Sequence, residues 1–113
     1  AIDGRCGSAS VDAAASYLMQ AGRWPGLAAF TADPAALGEV PAGMFGASLL
    51  RYLRERLGAA IIAAVWKTGL DQALSAHGLD PGRIASDWRA WLDTDVTPIT
   101  DAEWATLEAD GCG

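Results

Sequence analysis

Pro41-Ala42-Gly43-Met44-Phe45-Gly46-Ala47-Ser48-Leu49-Leu50-Arg51-Tyr52-Leu53-Arg54-Glu55-Arg56-Leu57 is the stretch on which the fold turns. Phe45, Leu49, Leu53 and Leu57 recur every four residues, which sets them on one face of an α-helix, flanked by Leu50 and Tyr52. Pro41 suits a first helical turn, where its missing N–H leaves no bond unmade, and Gly58 suits the stop. The expectation is a helix opened by Pro41 whose apolar stripe lies in the core. Gly43 and Gly46 permit close approach of another helix. They do not make a phosphate loop, which needs a following Lys and Ser or Thr.

Working outward, Ala59 to Lys67 is apolar nearly all round through Ile61, Ile62, Val65 and Trp66, the pattern of a helix packed on several sides and hence central. A short helix, Asp71 to Ala76, ends at His77-Gly78. Asp80-Pro81 caps another, in which Ile84, Trp88, Trp91 and Leu92 fall at helical spacing and belong to the core. Thr100-Asp101-Ala102-Glu103 is a capping box before Trp104 and Leu107. Upstream, Ser10 caps a helix from Val11 to Ala21, with Val11, Ala14, Ala15, Leu18 and Met19 on one face and Gly22 as its end. Trp24-Pro25-Gly26 breaks the chain, and Asp33-Pro34 opens a single turn, Pro34 to Leu37, in a connector otherwise read as irregular. No strand of useful length alternates; residues 93–100 are the one candidate for extended structure, and Pro98 disfavours a central strand there. The class expected is all-α, one compact bundle of about five to six short helices spanning residues 1–113.

With 113 residues, five Trp, 51% hydrophobic and 19% charged side chains, the chain suits a single soluble domain able to bury a core. Eight Lys and Arg against fourteen Asp and Glu give a formal charge of −6, which argues against binding a nucleic-acid backbone. No apolar run approaches the roughly 20 residues of a membrane span. The acid excess begins at Asp80, with eight acids against Arg83 and Arg89, and reads as a solvated face rather than a Ca²⁺ loop.

Cys6 and Cys112 stand near opposite ends, each beside Gly, and are expected to form a disulfide clasp joining the termini. In the chain-entropy model such a closure contributes about 4 to 5 kcal/mol, and it implies an oxidising compartment. Two unrelated free thiols in a reducing compartment are the alternative. The chain starts at Ala1 without Met or leader, which fits a mature exported protein and a trimmed segment equally. The expected location is secreted or extracytoplasmic.

Chemistry-bearing clusters are scarce. His77 is the single histidine and sits at a helix C-terminus, a position that favours a cation. No Gly-x-Ser-x-Gly elbow accompanies it. Arg51, Arg54 and Arg56 point in different directions around their helix and read as solvated.

The order of motifs resembles a known family. Met44-Phe45-Gly46-Ala47-Ser48-Leu49-Leu50-Arg51-Tyr52-Leu53-Arg54-Glu55-Arg56-Leu57-Gly58 is similar to the helix downstream of the active site in gluzincin-type, peptidase-MA-like metallopeptidases. Lys67-Thr68-Gly69-Leu70-Asp71-Gln72-Ala73-Leu74 resembles their short helix ending in Ala-Leu, and Asp87-Trp88-Arg89-Ala90-Trp91-Leu92 their closing helix. The resemblance covers about residues 11–92. It implies that Asp12, in Asp12-Ala13-Ala14-Ala15-Ser16-Tyr17-Leu18, stands where the family has its third zinc ligand, a Glu. The His-Glu-x-x-His helix, with two imidazoles and the general base, has no counterpart among the eleven residues before Asp12. One carboxylate cannot hold catalytic Zn²⁺ or acidify its water; a first-turn acid at a helix N-terminus is the other reading of Asp12.

Three functions follow as expectations. The first is a secreted, non-catalytic helical module for binding or structure, with no cofactor and an unspecified protein partner. The second is a fragment or subunit of a zinc peptidase whose His-bearing helix lies on another segment, Asp12 completing the metal shell and Tyr17 lining the cleft. The third is a small-ligand binder or metal-free enzyme with an interhelical pocket lined by Trp24, Phe45, Tyr52 or Trp66.

Overall fold

The computed structural model describes the backbone of residues 5–6 and 9–111 and the side chains of residues 10–111. Arg5–Cys6 (β1) pairs antiparallel with Ala9–Ser10 (β2), a two-residue ladder with Arg5 opposite Ser10. Among the described residues seven α-helices follow: α1 Val11–Gln20, α2 Leu27–Ala32, α3 Glu39–Leu57, α4 Ala59–Thr68, α5 Leu70–Ala76, α6 Pro81–Asp95 and α7 Asp101–Asp110. A 3₁₀ turn at Pro34–Leu37 precedes α3. The architecture is helical, as the patterning predicts. The Cys6–Cys112 clasp lies outside the described residues.

The punctuation residues act as their types dictate. Ser10 Oγ accepts from the Ala13 N–H, and Asp80 from the Gly82 N–H. Thr100 and Glu103 satisfy each other's backbone N–H in a complete capping box. Past α1, Gly22 takes a positive φ of 75°, letting the Arg23 N–H reach the Leu18 carbonyl and the Gly22 N–H the Met19 carbonyl, both at 3.0 Å. The helix α3 begins two residues before Pro41, which still falls within the first turn, where no intrahelical bond requires its N–H.

α1 is the central element. Val11, Ala14, Ala15, Ser16 and Leu18 are fully enclosed, because α3 packs on one side of the helix and α6 on another. Ala14 and Ala15 project only a methyl group, so the neighbouring helices can lie close. Ser16 Oγ faces the Leu92 carbonyl at 3.0 Å and the Val96 carbonyl at 3.2 Å. These belong to the end of α6, whose last carbonyls have no intrahelical donor, so the hydroxyl fills a need that burial would otherwise make costly.

Three expectations are corrected. The helix α4 is not central: of its ten residues only Ile61 is buried, and Trp66 is 78% exposed. Apolar composition says that a helix prefers cover but not which elements will supply it; here α1 holds the centre, and α4 turns off α3 at Gly58 (φ 89°) to pack mainly on α3 and α5. Leu57, the last member of the α3 stripe, is likewise exposed, while Phe45, Leu49 and Leu53 are core. The connector also contains α2, which the sequence reading treats as irregular. Six residues with no side-chain cap bond, following Pro25-Gly26, carry too little periodicity to register.

The helix α2 has a clear packing reason: its Phe30 joins Trp24, Phe45 and Trp88. Trp24 lies 5.3 Å from Phe30, 4.9 Å from Phe45 and 5.0 Å from Trp88 between ring centroids, the last pair edge to face. Trp88 is completely buried. Replacing Trp88 by Ala is expected to lower stability by about 3–5 kcal/mol, whereas Trp66→Ala should change it by less than about 0.5 kcal/mol. Urea denaturation followed by far-ultraviolet circular dichroism measures both.

Candidate functional site

A serine amid an apolar helical stripe is the local anomaly that marks the site. Ser48 shares the core-facing side of α3 with Phe45, Leu49 and Tyr52, and is fully buried. Its Oγ donates to Asp12 Oδ1 at 2.8 Å and accepts from Trp88 Nε1–H at 3.1 Å. Asp12 comes from the first turn of α1 and Trp88 from α6, so a single hydroxyl links three helices. One turn along α3, Arg51 brings Nε to 3.6 Å from Asp12 Oδ2. That distance is too long for a hydrogen bond but well within charge attraction. The buried Nε finds no hydrogen-bond partner among the described residues. The outer end of the guanidinium reaches toward Glu55 at 3.9 Å.

This arrangement determines what Asp12 can do. Its side chain is 15% exposed, and both oxygens face groups of its own chain, one of them a fixed cation. A divalent metal beside that guanidinium would meet like charge, and among the described residues no three His, Cys, Asp or Glu side chains gather to hold one. The described residues by themselves therefore do not fit a catalytic zinc. Ser48 and His77 do not form a serine–histidine pair: Ser48 is enclosed and turned to Asp12, while His77 Nδ1 lies 2.9 Å from the Ala73 carbonyl at the end of α5.

The five aromatic residues expected to line a pocket are placed in four different settings. Trp24 and Phe45 meet in the core. Tyr52 packs on Trp91 at 5.5 Å, with the Arg56 guanidinium 4.2 Å above its ring. Trp66 projects from α4. Tyr17 stacks on Trp104 at 5.9 Å and donates from its hydroxyl to Asp101 Oδ1 at 2.6 Å. Of the five, Tyr17 lines an open depression of about 490 Å³ between α1 and the start of α7, with Gln20, Pro98, Ile99, Thr100 and Asp101. A second depression of about 340 Å³ lies where Arg23 meets Glu39 and Glu108.

Sequence reasoning singled out Asp12 but missed its partners. The sequence reads Arg51 as solvated and gives Ser48 no role, and it reads Trp88, which bonds Ser48 in turn, simply as core. The readable signal was Ser48, a polar residue at a core position three residues before an arginine on the same helix face. Comparison with known proteins adds no relative: no family model matches the chain, and neither does any curated protein or solved structure.

Removing the Asp12 carboxylate should destabilise the fold by about 1–3 kcal/mol, since it strands the Ser48 donor and the Arg51 charge. Asp12→Asn should cost less than Asp12→Ala because its amide oxygen can still accept from Ser48. Chemical denaturation of the two variants ranks them. At Tyr17, the hydrogen bond to Asp101, followed by partial desolvation and that carboxylate's charge, holds the phenol above its ordinary 10.0. A raised value means the folded state favours the protonated form, so this contribution is complete below pH 10 and is lost as pH climbs through the folded value. In an alkaline absorbance titration Asp101→Asn should move the Tyr17 transition downward, and Tyr17→Phe should remove it.

Proposed function

We propose that the chain is a non-catalytic helical binding or structural module, exported from the cell, whose architecture descends from or resembles the C-terminal part of a gluzincin metallopeptidase. One observation carries the reading: the carboxylate at the family's ligand position is engaged by Ser48 and Arg51 as a tie between α1 and α3. A side chain used this way serves the rigidity of the bundle. The site is then a brace, and function falls to the surfaces that the brace holds in place.

The exposed apolar side of α4 favours a second reading, in which the chain is part of a zinc peptidase completed by another segment bearing the two histidines. Under that reading Asp12 has to leave both of its partners to reach a metal, at the cost of a buried, unsatisfied Ser48 hydroxyl.

The two readings part on metal. After equilibration with Zn²⁺ and removal of excess, the purified chain should retain no stoichiometric zinc and show no chelator-sensitive peptide hydrolysis. Zinc that is held by the wild type and lost in Asp12→Ala would overturn the module reading. The same preparation, weighed before and after reduction, should gain two hydrogens if Cys6 and Cys112 are paired as export implies; free thiols would remove that argument.

A further inference from the structure

We infer that the exposed face of α4 is a docking surface for an acidic amphipathic segment of another protein. The inference rests on the module reading and names the surface that the module uses. Ala59, Ala60, Ala63, Trp66 and Lys67 all lie exposed on one side of this helix, and Leu57 extends the same apolar surface at the end of α3. Leu57 and Trp66 are the exposed large hydrophobic side chains among the described residues, and they flank this face at its two ends. Three alanines between them form a low ridge, which lets a second helix approach to about 8 Å between axes. Trp66 has the area and stiffness of an interface anchor: a tryptophan buries about 150–250 Å² when covered.

Charge selects the occupant. Residues 51–68 contain Arg51, Arg54, Arg56 and Lys67, half of the eight cations of a chain whose formal charge is −6, against the single acid Glu55. Arg54 stands on the last turn of α3, at the N-terminal end of the α4 face, and Lys67 stands at its C-terminal end, while the Arg56 guanidinium lies over the Tyr52 and Trp91 rings. Glu55 is turned toward Arg51, and the next acid along the chain is Asp71, in the first turn of α5. The first turn of α4 carries no acid, and Gly58 offers no side-chain cap, so the positive end of the helix dipole is not neutralised there. An apolar stripe bounded by cations at both ends complements a segment with a leucine-like stripe bounded by carboxylates. Two-fold pairing with a second copy would set each cationic end against its like. The acid excess elsewhere on the chain opposes broad contact with an anionic membrane or nucleic acid.

The test uses the full chain and two synthetic helical peptides with the same leucine stripe, one flanked by Glu and the other by Lys, titrated calorimetrically at low and physiological salt. The Glu-flanked peptide should bind at least about tenfold more tightly, with affinity that falls as salt rises. Trp66→Ala should weaken it by about tenfold or more while leaving the unfolding midpoint unchanged. Charge reversal by Arg54→Glu with Lys67→Glu should abolish the preference for the acidic peptide. Equal affinity for the two peptides, no binding, or indifference to Trp66→Ala would overturn the inference. So would a dimer that Trp66→Ala dissolves, or tighter binding to phosphatidylglycerol vesicles than to the acidic peptide. A chain that neither holds zinc nor binds the peptide refutes this surface alone. Zinc-dependent proteolysis refutes the module reading whatever the peptides do.

Discussion

The hydroxyl of Ser48 is the point at which three helices are held in register. It gives its proton to Asp12 on α1 and takes one from the Trp88 indole on α6, while its own backbone belongs to α3. Each of these groups would be an expense to bury alone, since an unsatisfied donor or acceptor away from water costs about 1–3 kcal/mol. Joined, they leave only Arg51 Nε short of a hydrogen bond, and that atom lies against a carboxylate of opposite charge. Position as well as energy follows from the geometry. Trp88 cannot rotate without abandoning its acceptor, and the edge-to-face contacts with Trp24 and Phe45 depend on that orientation.

Around this tie the core is built on size. α1 can sit between α3 and α6 because Ala14, Ala15 and Ser16 present little bulk where the other helices cross. The same helix then supplies polar groups at two points: Asp12 near its start to Ser48, and Ser16, midway, to the terminal carbonyls of α6. The segment after α6 returns along α1, with the Ile99 N–H 3.3 Å from the Ala13 carbonyl, before the capping box starts α7. Neighbouring elements thus fix one another through a few buried polar groups in an otherwise apolar interior, as expected of a network whose members are nearly all satisfied.

This organisation separates the function of the interior from that of the surface. The residue most suggestive of catalysis by resemblance, Asp12, is engaged in holding the bundle together. The most apolar helix, α4, is left with one side open. A chain of negative overall charge carries half its cations within residues 51–68, the stretch that also holds Leu57 and Trp66, the exposed large hydrophobic side chains among the described residues. That contrast is what a module acting by contact would need.

Local chemistry in the sequence determined the helices, since caps, prolines, glycines and the four-residue spacing of Phe45, Leu49 and Leu53 act within a turn or two of where they stand. α2 escaped notice because six residues without a side-chain cap carry no usable period. Tertiary structure alone decided which helix would be central. Burial depends on what the rest of the chain can bring up against a face, and it is α1 that α3 and α6 enclose from two sides. The partners of Asp12 were hidden for the same reason: Ser48 and Arg51 are 36 and 39 positions further along the chain, and only the packing of α1 on α3 brings them to its carboxylate, just as only the packing of α3 and α6 brings the Trp88 indole to Ser48.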